Sequence, residues 1–196
     1  MIRNDDRHAT IEAYTEPVVE SIASRFNTRV DEATDILYQP DHVVVATEPE
    51  EVIPYHDEVH VINTVAESVV ETYYIQAKVE GLEYVSSAQA VLTGMVGSNM
   101  LGQRRAVTEK ETALYFTMIK SDDKGAPVLC NTFNTFGRIE GAKNDLWMTF
   151  DIHTIDGRVI TKEYDITHLF STPECKEHRW LLLDEVIVIP PPPPAP

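Results

Sequence analysis

The tightest grouping of chemistry-bearing side chains is His56-Asp57-Glu58-Val59-His60. Two histidines four apart lie on one face of either a helix or a strand and could share a metal ion. The zinc-protease pattern places Glu directly after the first His, where this chain has Asp57, and it requires a helix. Pro54 and the β-branched residues that follow disfavour that helix, so the stretch reads as an exposed polar strand start that binds no structural zinc. Gly94-Met95-Val96-Gly97-Ser98-Asn99-Met100-Leu101-Gly102 has the composition of a phosphate-cradling loop. It has no Lys after a glycine and no amphipathic helix behind it, so a turn or bulge between strands explains the glycines better. Ser98 lies outside any Gly-x-Ser-x-Gly elbow.

His153 and His168 flank a hairpin near several carboxylates and read as surface histidines rather than acid–base catalysts. The acidic pairs Asp5-Asp6 and Asp122-Asp123 miss the alternating spacing of a calcium loop and read as solvated turns. Trp147, Tyr84 and Tyr115 could form a sugar-stacking platform if they were exposed together. Cys130 and Cys175 are the two cysteines of the chain. They sit outside any Cys-x-x-Cys pattern and read as free thiols, with a bridge between them left open. The residues therefore assemble no catalytic, cofactor or metal site, and the chain does not read as an enzyme.

The elements that would have to position such groups are strands. The chain has 196 residues, 43% of them hydrophobic, enough for a packed core. Thirty-two acidic against sixteen basic residues give a formal charge of −16. That field repels nucleic acid and an anionic membrane leaflet. No apolar run is long enough for a transmembrane helix. The first residues, Met1-Ile2-Arg3-Asn4-Asp5-Asp6-Arg7, do not read as a secretory signal.

Period-two alternation dominates. Tyr73, Ile75, Ala77 and Val79 should face a core, as should Leu146, Met148, Phe150 and Ile152, with Thr149, Asp151 and His153 outward. Asp156-Gly157 predicts a two-residue type I′ hairpin turn, with Ile160, Lys162, Tyr164 and Ile166 sharing a face of the return strand. Further strands are predicted over Val43–Thr47, Glu58–Val65, Ala88–Thr93, Ala113–Lys120, Val128–Phe136 and Trp180–Ile189. One helix is predicted near Pro17–Arg25, where Val18, Val19 and Ile22 are spaced about a turn apart. Asp122–Gly125 and Glu140–Asp145 read as turns. Many strands with short turns and no intervening helical pattern predict an all-β antiparallel sandwich. Residues 27–57 are acidic and carry three prolines, Pro40, Pro49 and Pro54, as expected of a connector. The prolines at the end should form an extended tail.

One stretch carries a family resemblance. Val79-Glu80-Gly81-Leu82-Glu83-Tyr84-Val85-Ser86-Ser87-Ala88, followed by Val91-Leu92-Thr93-Gly94-Met95-Val96-Gly97-Ser98, resembles a signature of Bacteroides-type surface lipoproteins. These are the FimB/Mfa-like fimbrial anchor and subunit proteins, together with a closely similar domain of unknown function. Asn134-Thr135-Phe136-Gly137, the Asp156-Gly157 hairpin and Tyr164-Asp165-Ile166-Thr167 also fit it. The resemblance implies transthyretin/immunoglobulin-like β-sandwiches, two in succession, exported and anchored on the outer membrane through an acylated cysteine. It implies a role in anchoring, capping or building fimbriae. The partners would be fimbrial or other surface subunits, or a glycan or host ligand, with no cofactor.

The sequence departs from that pattern at its start, which lacks the signal, the lipidation cysteine and most of a first sandwich. On this reading residues 1–57 are the remnant of a preceding β domain plus an acidic connector, with His8–Thr15 its last strand. Residues 58–190 are the sandwich and residues 191–196 the polyproline tail. The remnant, too short to bury a core alone, is expected to pack loosely against the main sandwich.

Overall fold

A computed structural model describes residues 2–5, 10–26, 30, 34–46, 59, 61–122, 125–140 and 146–194, with side chains described from Ile11 onward. The strands β1 (Ile2–Asp5) and β2 (Thr10–Tyr14) are followed by a single helical turn, α1 (Glu20–Ala23), which tightens into a 3-10 turn over Ser24–Phe26. Short strands β3 (Ile36–Tyr38), β4 (Val44–Val45) and β5 (Glu67–Ser68) come next, then the long β6 (Glu71–Glu80) and β7 (Val85–Val96). After them run β8 (Ser98–Met100), β9 (Arg105–Ala106), β10 (Glu111–Ser121), β11 (Val128–Thr135), β12 (Trp147–Thr154) and β13 (Val159–Asp165). A helix α2 (Pro173–His178) leads into β14 (Trp180–Val188). The chain is all-β.

The large sheet has the order β13-β12-β7-β10-β11-β6-β14, with β3 added alongside β10. It turns over at β10. Residues 111–118 of that strand pair with β7, and residues 119–121 pair with β11. The two limbs then face each other in a near-barrel around one core. From one limb come Tyr73, Ile75, Ala77, Val79, Leu129, Phe133 and Leu181; from the other Ala90, Leu92, Phe116, Met148, Phe150 and Ile152. Phe116 stacks on Phe133 with ring centroids 4.6 Å apart, and Tyr73 also stacks on Phe133 at 5.7 Å. The alternation expected of β6 and of Leu146–Ile152 is therefore realised: Phe150, Met148, Ile152 and Ile75 are fully buried.

Two glycines fix the ladder. In β7, Thr93 and Gly94 together oppose Ala113, a β-bulge, and Gly94 adopts φ +75°. A Cβ at that position would stand 2.4 Å from Leu146 Cδ2, so only glycine keeps the bulge closed over the core. The β12–β13 hairpin forms where Asp156-Gly157 placed it, but with a different turn. His153 pairs with Val159, Thr154 N–H donates to Arg158 O, and Gly157 N–H donates to Thr154 O at 3.1 Å. Gly157 is at positive φ and Asp156 is not, so the loop is a three-residue turn closed by one left-handed glycine.

Other expectations are corrected. Pairing is not wholly antiparallel: β3 runs parallel to β10 and β14 parallel to β6. The expected strand over Glu58–Val65 does not form among its described residues. Val61–Ala66 is irregular, and Val59, Val61 and Val65 are exposed, because β-branched propensity makes no strand where no neighbouring ladder is offered. The expected helix shrinks to Glu20–Phe26, with Val18 and Phe26 buried and Val19 exposed.

The largest difference concerns the outward face of β12. Thr149 and Asp151 are buried, at 0% and 1% exposure, because the described residues between Val18 and Tyr38 lie over that face. Val18, Phe26, Val30 and Ile36 pack there on Val91, Ala113 and Tyr115, forming a second core. Val18 N–H donates to Ile36 O at 2.8 Å and Ala113 N–H to Asp35 O at 3.0 Å, which stitches the cover to the sheet. Arg25 completes the attachment: its guanidinium lies 3.4 Å from the Asp151 carboxylate, which His153 Nε2 also meets at 3.1 Å.

The β1–β2 hairpin joins the body through β8, with Tyr14 opposite Ser98 and Glu12 opposite Met100. Ala13 is buried in a third cluster with Val70, Val96, Leu101 and Phe136, whereas Ile11 is 39% exposed.

Two stability measurements check this packing. Phe150→Ala should cost roughly 3–5 kcal/mol in urea unfolding, the range for emptying a fully packed aromatic site; a cost below about 1 kcal/mol would contradict the assigned core. Arg25→Ala should cost about 1–3 kcal/mol, because it removes one of the partners of the buried Asp151 carboxylate. Adding Asp151→Asn should then restore part of that loss, and strict additivity in the double-mutant cycle would show the two groups to be uncoupled.

Candidate functional site

The structure disperses the residues in which chemistry was sought. His56, Asp57, Glu58 and His60 lie outside the described residues, as do Asp6, Asp123 and most of Glu140–Asp145. Asp122 is exposed. His168 Nε2 meets Asp184 Oδ2 at 2.8 Å on the surface, far along the chain from the His153–Asp151 contact. Cys130 and Cys175 are both free, and burial pushes the Cys175 thiol above its ordinary pKa, leaving it less thiolate and less reactive. Among the described residues no three His, Cys, Asp or Glu side chains gather as a metal-ligand set.

The glycine-rich stretch forms the end of β7 and the entry to β8, and Ser98 Oγ donates to Glu12 Oε1 at 2.6 Å. The aromatic platform is not assembled: Tyr115 is buried, Tyr84 packs against the main core, and Trp147 is half-buried.

The motif residues have structural work instead. Gly81–Tyr84 makes the turn between β6 and β7. Thr167 donates to Asp165 Oδ1 through both its hydroxyl, at 2.6 Å, and its backbone N–H, at 3.0 Å. Those two bonds hold the Asp165 carboxyl below the usual carboxylate pKa. The same hydroxyl accepts from Leu146 N–H at 2.8 Å, so the Asp165–Thr167 turn ties the end of β13 to the start of β12. Asn134 Oδ1 accepts from the Thr72 hydroxyl at 2.7 Å, its backbone N–H donates to Gln39 Oε1 at 3.0 Å, and its side-chain amide donates to Pro40 O at 3.1 Å.

Two surface features remain as candidates. The first is the sheet border. Among the described residues, β13 and β14 are the terminal strands of the large sheet, each paired on one side. β14 exposes Trp180, Val186 and Val188 at 44–49%, and Trp180 packs against the His178 ring at 4.6 Å. Its pairing with β6 shifts register between Leu182 and Val186, and that interruption carries Asp184 and Glu185. Charge and a bulge are the usual means of blunting an edge, so within β14 the apolar border lies at the two ends of the strand.

The second feature is a cleft of 470 Å³ where the chain leaves β2, β3 and β11. Tyr14, Tyr38, Pro40 and Phe136 wall it, with Glu16 and Asp41 at its margin. Sequence reasoning missed this cleft because its walls come from three distant segments. It also missed α2, although Thr172-Pro173 is an N-cap followed by proline at the first helical position; Thr172 Oγ1 accepts from Cys175 N–H at 3.2 Å.

Comparison with known proteins places this arrangement. The family described as a domain of unknown function (DUF5119) matches residues 1–117. A Bacteroides ovatus protein named "Putative fimbrium anchoring subunit Fim4B" is 30% identical over 124 residues, 63% of this chain and 34% of that protein. The chain thus matches about a third of that relative's length. A crystal structure titled as a putative adhesin from Bacteroides ovatus superposes with a TM-score of 0.66 at 20% identity, covering 100% of this chain and 72% of the other. At that identity the likeness is one of fold. The family match spans more than half of the chain, from the β1–β2 hairpin through most of β10, and the chain belongs to the DUF5119 family.

Proposed function

We propose that this chain is a non-enzymatic anchoring, structural or adhesion module of a fimbrium-like bacterial surface assembly. The observation that carries the reading is the 30% identity over 124 residues to a protein named as a fimbrium anchoring subunit. In this reading the near-barrel is a transthyretin/immunoglobulin-like sandwich of residues 58–190. Residues 1–57 would derive from a preceding β domain and its connector, with the described residues of Val18–Tyr38 packed onto the sandwich as its cover, and residues 191–196 form a tail. The full-length protein is held on the outer membrane as a lipoprotein.

Other surface subunits would join it by adding a strand at a sheet border. An unpaired edge gives such a partner main-chain hydrogen bonds, and the exposed side chains give it selectivity. The apolar ends of β14, Trp180 and Val186–Val188, support that mode, since they combine a free ladder with exposed hydrophobic surface. A surface module for a glycan or other ligand is the second reading, and the cleft walled by Tyr14 and Tyr38 supports it.

Deleting the gene in the source bacterium tests the first reading. An anchor should on deletion release intact fibres into the medium; a stalk or tip component should shorten the fibres or stop adhesion. Restoring the gene with Val186→Asp and Val188→Asp should fail to rescue if β14 is the joining edge. Fibres unchanged in number, length, attachment and adhesion after deletion would overturn the proposal.

A further inference from the structure

The cleft between β2, β3 and β11 combines three features that a ligand site requires. Its volume, 470 Å³, falls within the range of small-molecule sites. Its walls are aromatic and braced. Tyr38 is 40% exposed while its ring rests edge-on against Tyr115, centroids 5.8 Å apart, and Phe136 is anchored in the third cluster. Its margin is fixed by the framework: Tyr38 N–H donates to Glu16 O at 3.0 Å, and the two Asn134 bonds hold Gln39 and Pro40. A site built this way loses little entropy on binding.

We infer that this cleft binds a neutral saccharide residue, which rests on the ligand-binding reading given second above. A sugar ring has an apolar C–H face and a rim of hydroxyls that both donate and accept. Tyr14 and Tyr38 supply flat apolar surface for the first. Carboxylates accept, an amide NH2 donates, and tyrosine hydroxyls do either, so Glu16, Asp41, Gln39 and the tyrosines can meet the second. Glu16 and Asp41 carry no basic partner within the cleft lining, and the chain bears a charge of −16. Uronic acids, sialic acids and phosphorylated sugars are therefore repelled. A simple ammonium ion would use only acceptors and would leave the donors and much of the cleft unfilled.

The test is saturation-transfer NMR on the full chain with methyl glycosides of neutral hexoses and N-acetylhexosamines, beside methyl glucuronide and butylammonium, together with a glycan array. At least one neutral glycoside should bind in the millimolar range or better. Tyr38→Ala should weaken that binding roughly 3–10-fold, the worth of one aromatic contact. Asp41→Asn, which leaves the Tyr38–Tyr115 packing untouched, should weaken it as well while the unfolding midpoint stays unchanged. Glucuronide should give no transfer.

Preference for butylammonium over every glycoside would overturn the proposal, as would neutral-glycoside binding that survives both substitutions. Array binding that is unaffected by the two substitutions would overturn this site and leave the ligand-binding reading standing. No binding in either assay would overturn both, and neither result touches the fimbrial reading.

Discussion

The whole arrangement depends on β7 being dry on both faces from Ala90 to Val96. Ala90, Leu92 and Met95 point into the main core, while Val91 points into the second one, and each is 0–3% exposed. A strand buried on both sides cannot sit in a sheet with one wet face. The segment from Val18 to Tyr38 meets that demand. Its described residues form one helical turn with a 3-10 continuation and one three-residue strand, and they supply Phe26 and Ile36 to the covered face. Burial of that face then requires partners for the polar groups on it. Asp151 finds Arg25 and His153, whereas Thr149 Oγ1 and Gln89 Oε1 are buried without a partner among the described residues.

The same constraint explains what the sequence made legible. Where a strand has one core face and one open face, as in Tyr73–Val79, alternation reads directly as burial. Asp156-Gly157 located its hairpin because a left-handed glycine is a local requirement. The covered face was not legible: Thr149 and Asp151 look outward-facing in any alternation count, and what covers them lies more than a hundred residues earlier in the chain. The strands β8 and β9 are too short to show a period, and they exist because β2 offers a ladder. The opposite holds for Val61–Val65, whose residue types favour a strand that no neighbour completes.

The residues that carry the resemblance are held in contacts within the fold. Gly94 closes a bulge, Thr167 ties β13 to β12, and Asn134 fixes the loop beside Phe136. Each of these residues makes its contacts to other groups of the fold itself. The two surfaces it presents, the β14 border and the aromatic cleft, are both held by framework contacts far apart in sequence.

Native-state hydrogen exchange tests the central constraint directly. If the Val18–Tyr38 segment is an integral layer over β7, the amides of Val18 and Tyr38 should be protected to within about 1–2 kcal/mol of the β7 amides, since they open only when the sheet is uncovered. The Ala113 amide, which donates to Asp35 O, should follow them. Exchange of Val18 and Tyr38 near the unfolded rate, with β6 and β7 still fully protected, would show that the sheet stays folded without its cover and would contradict the account.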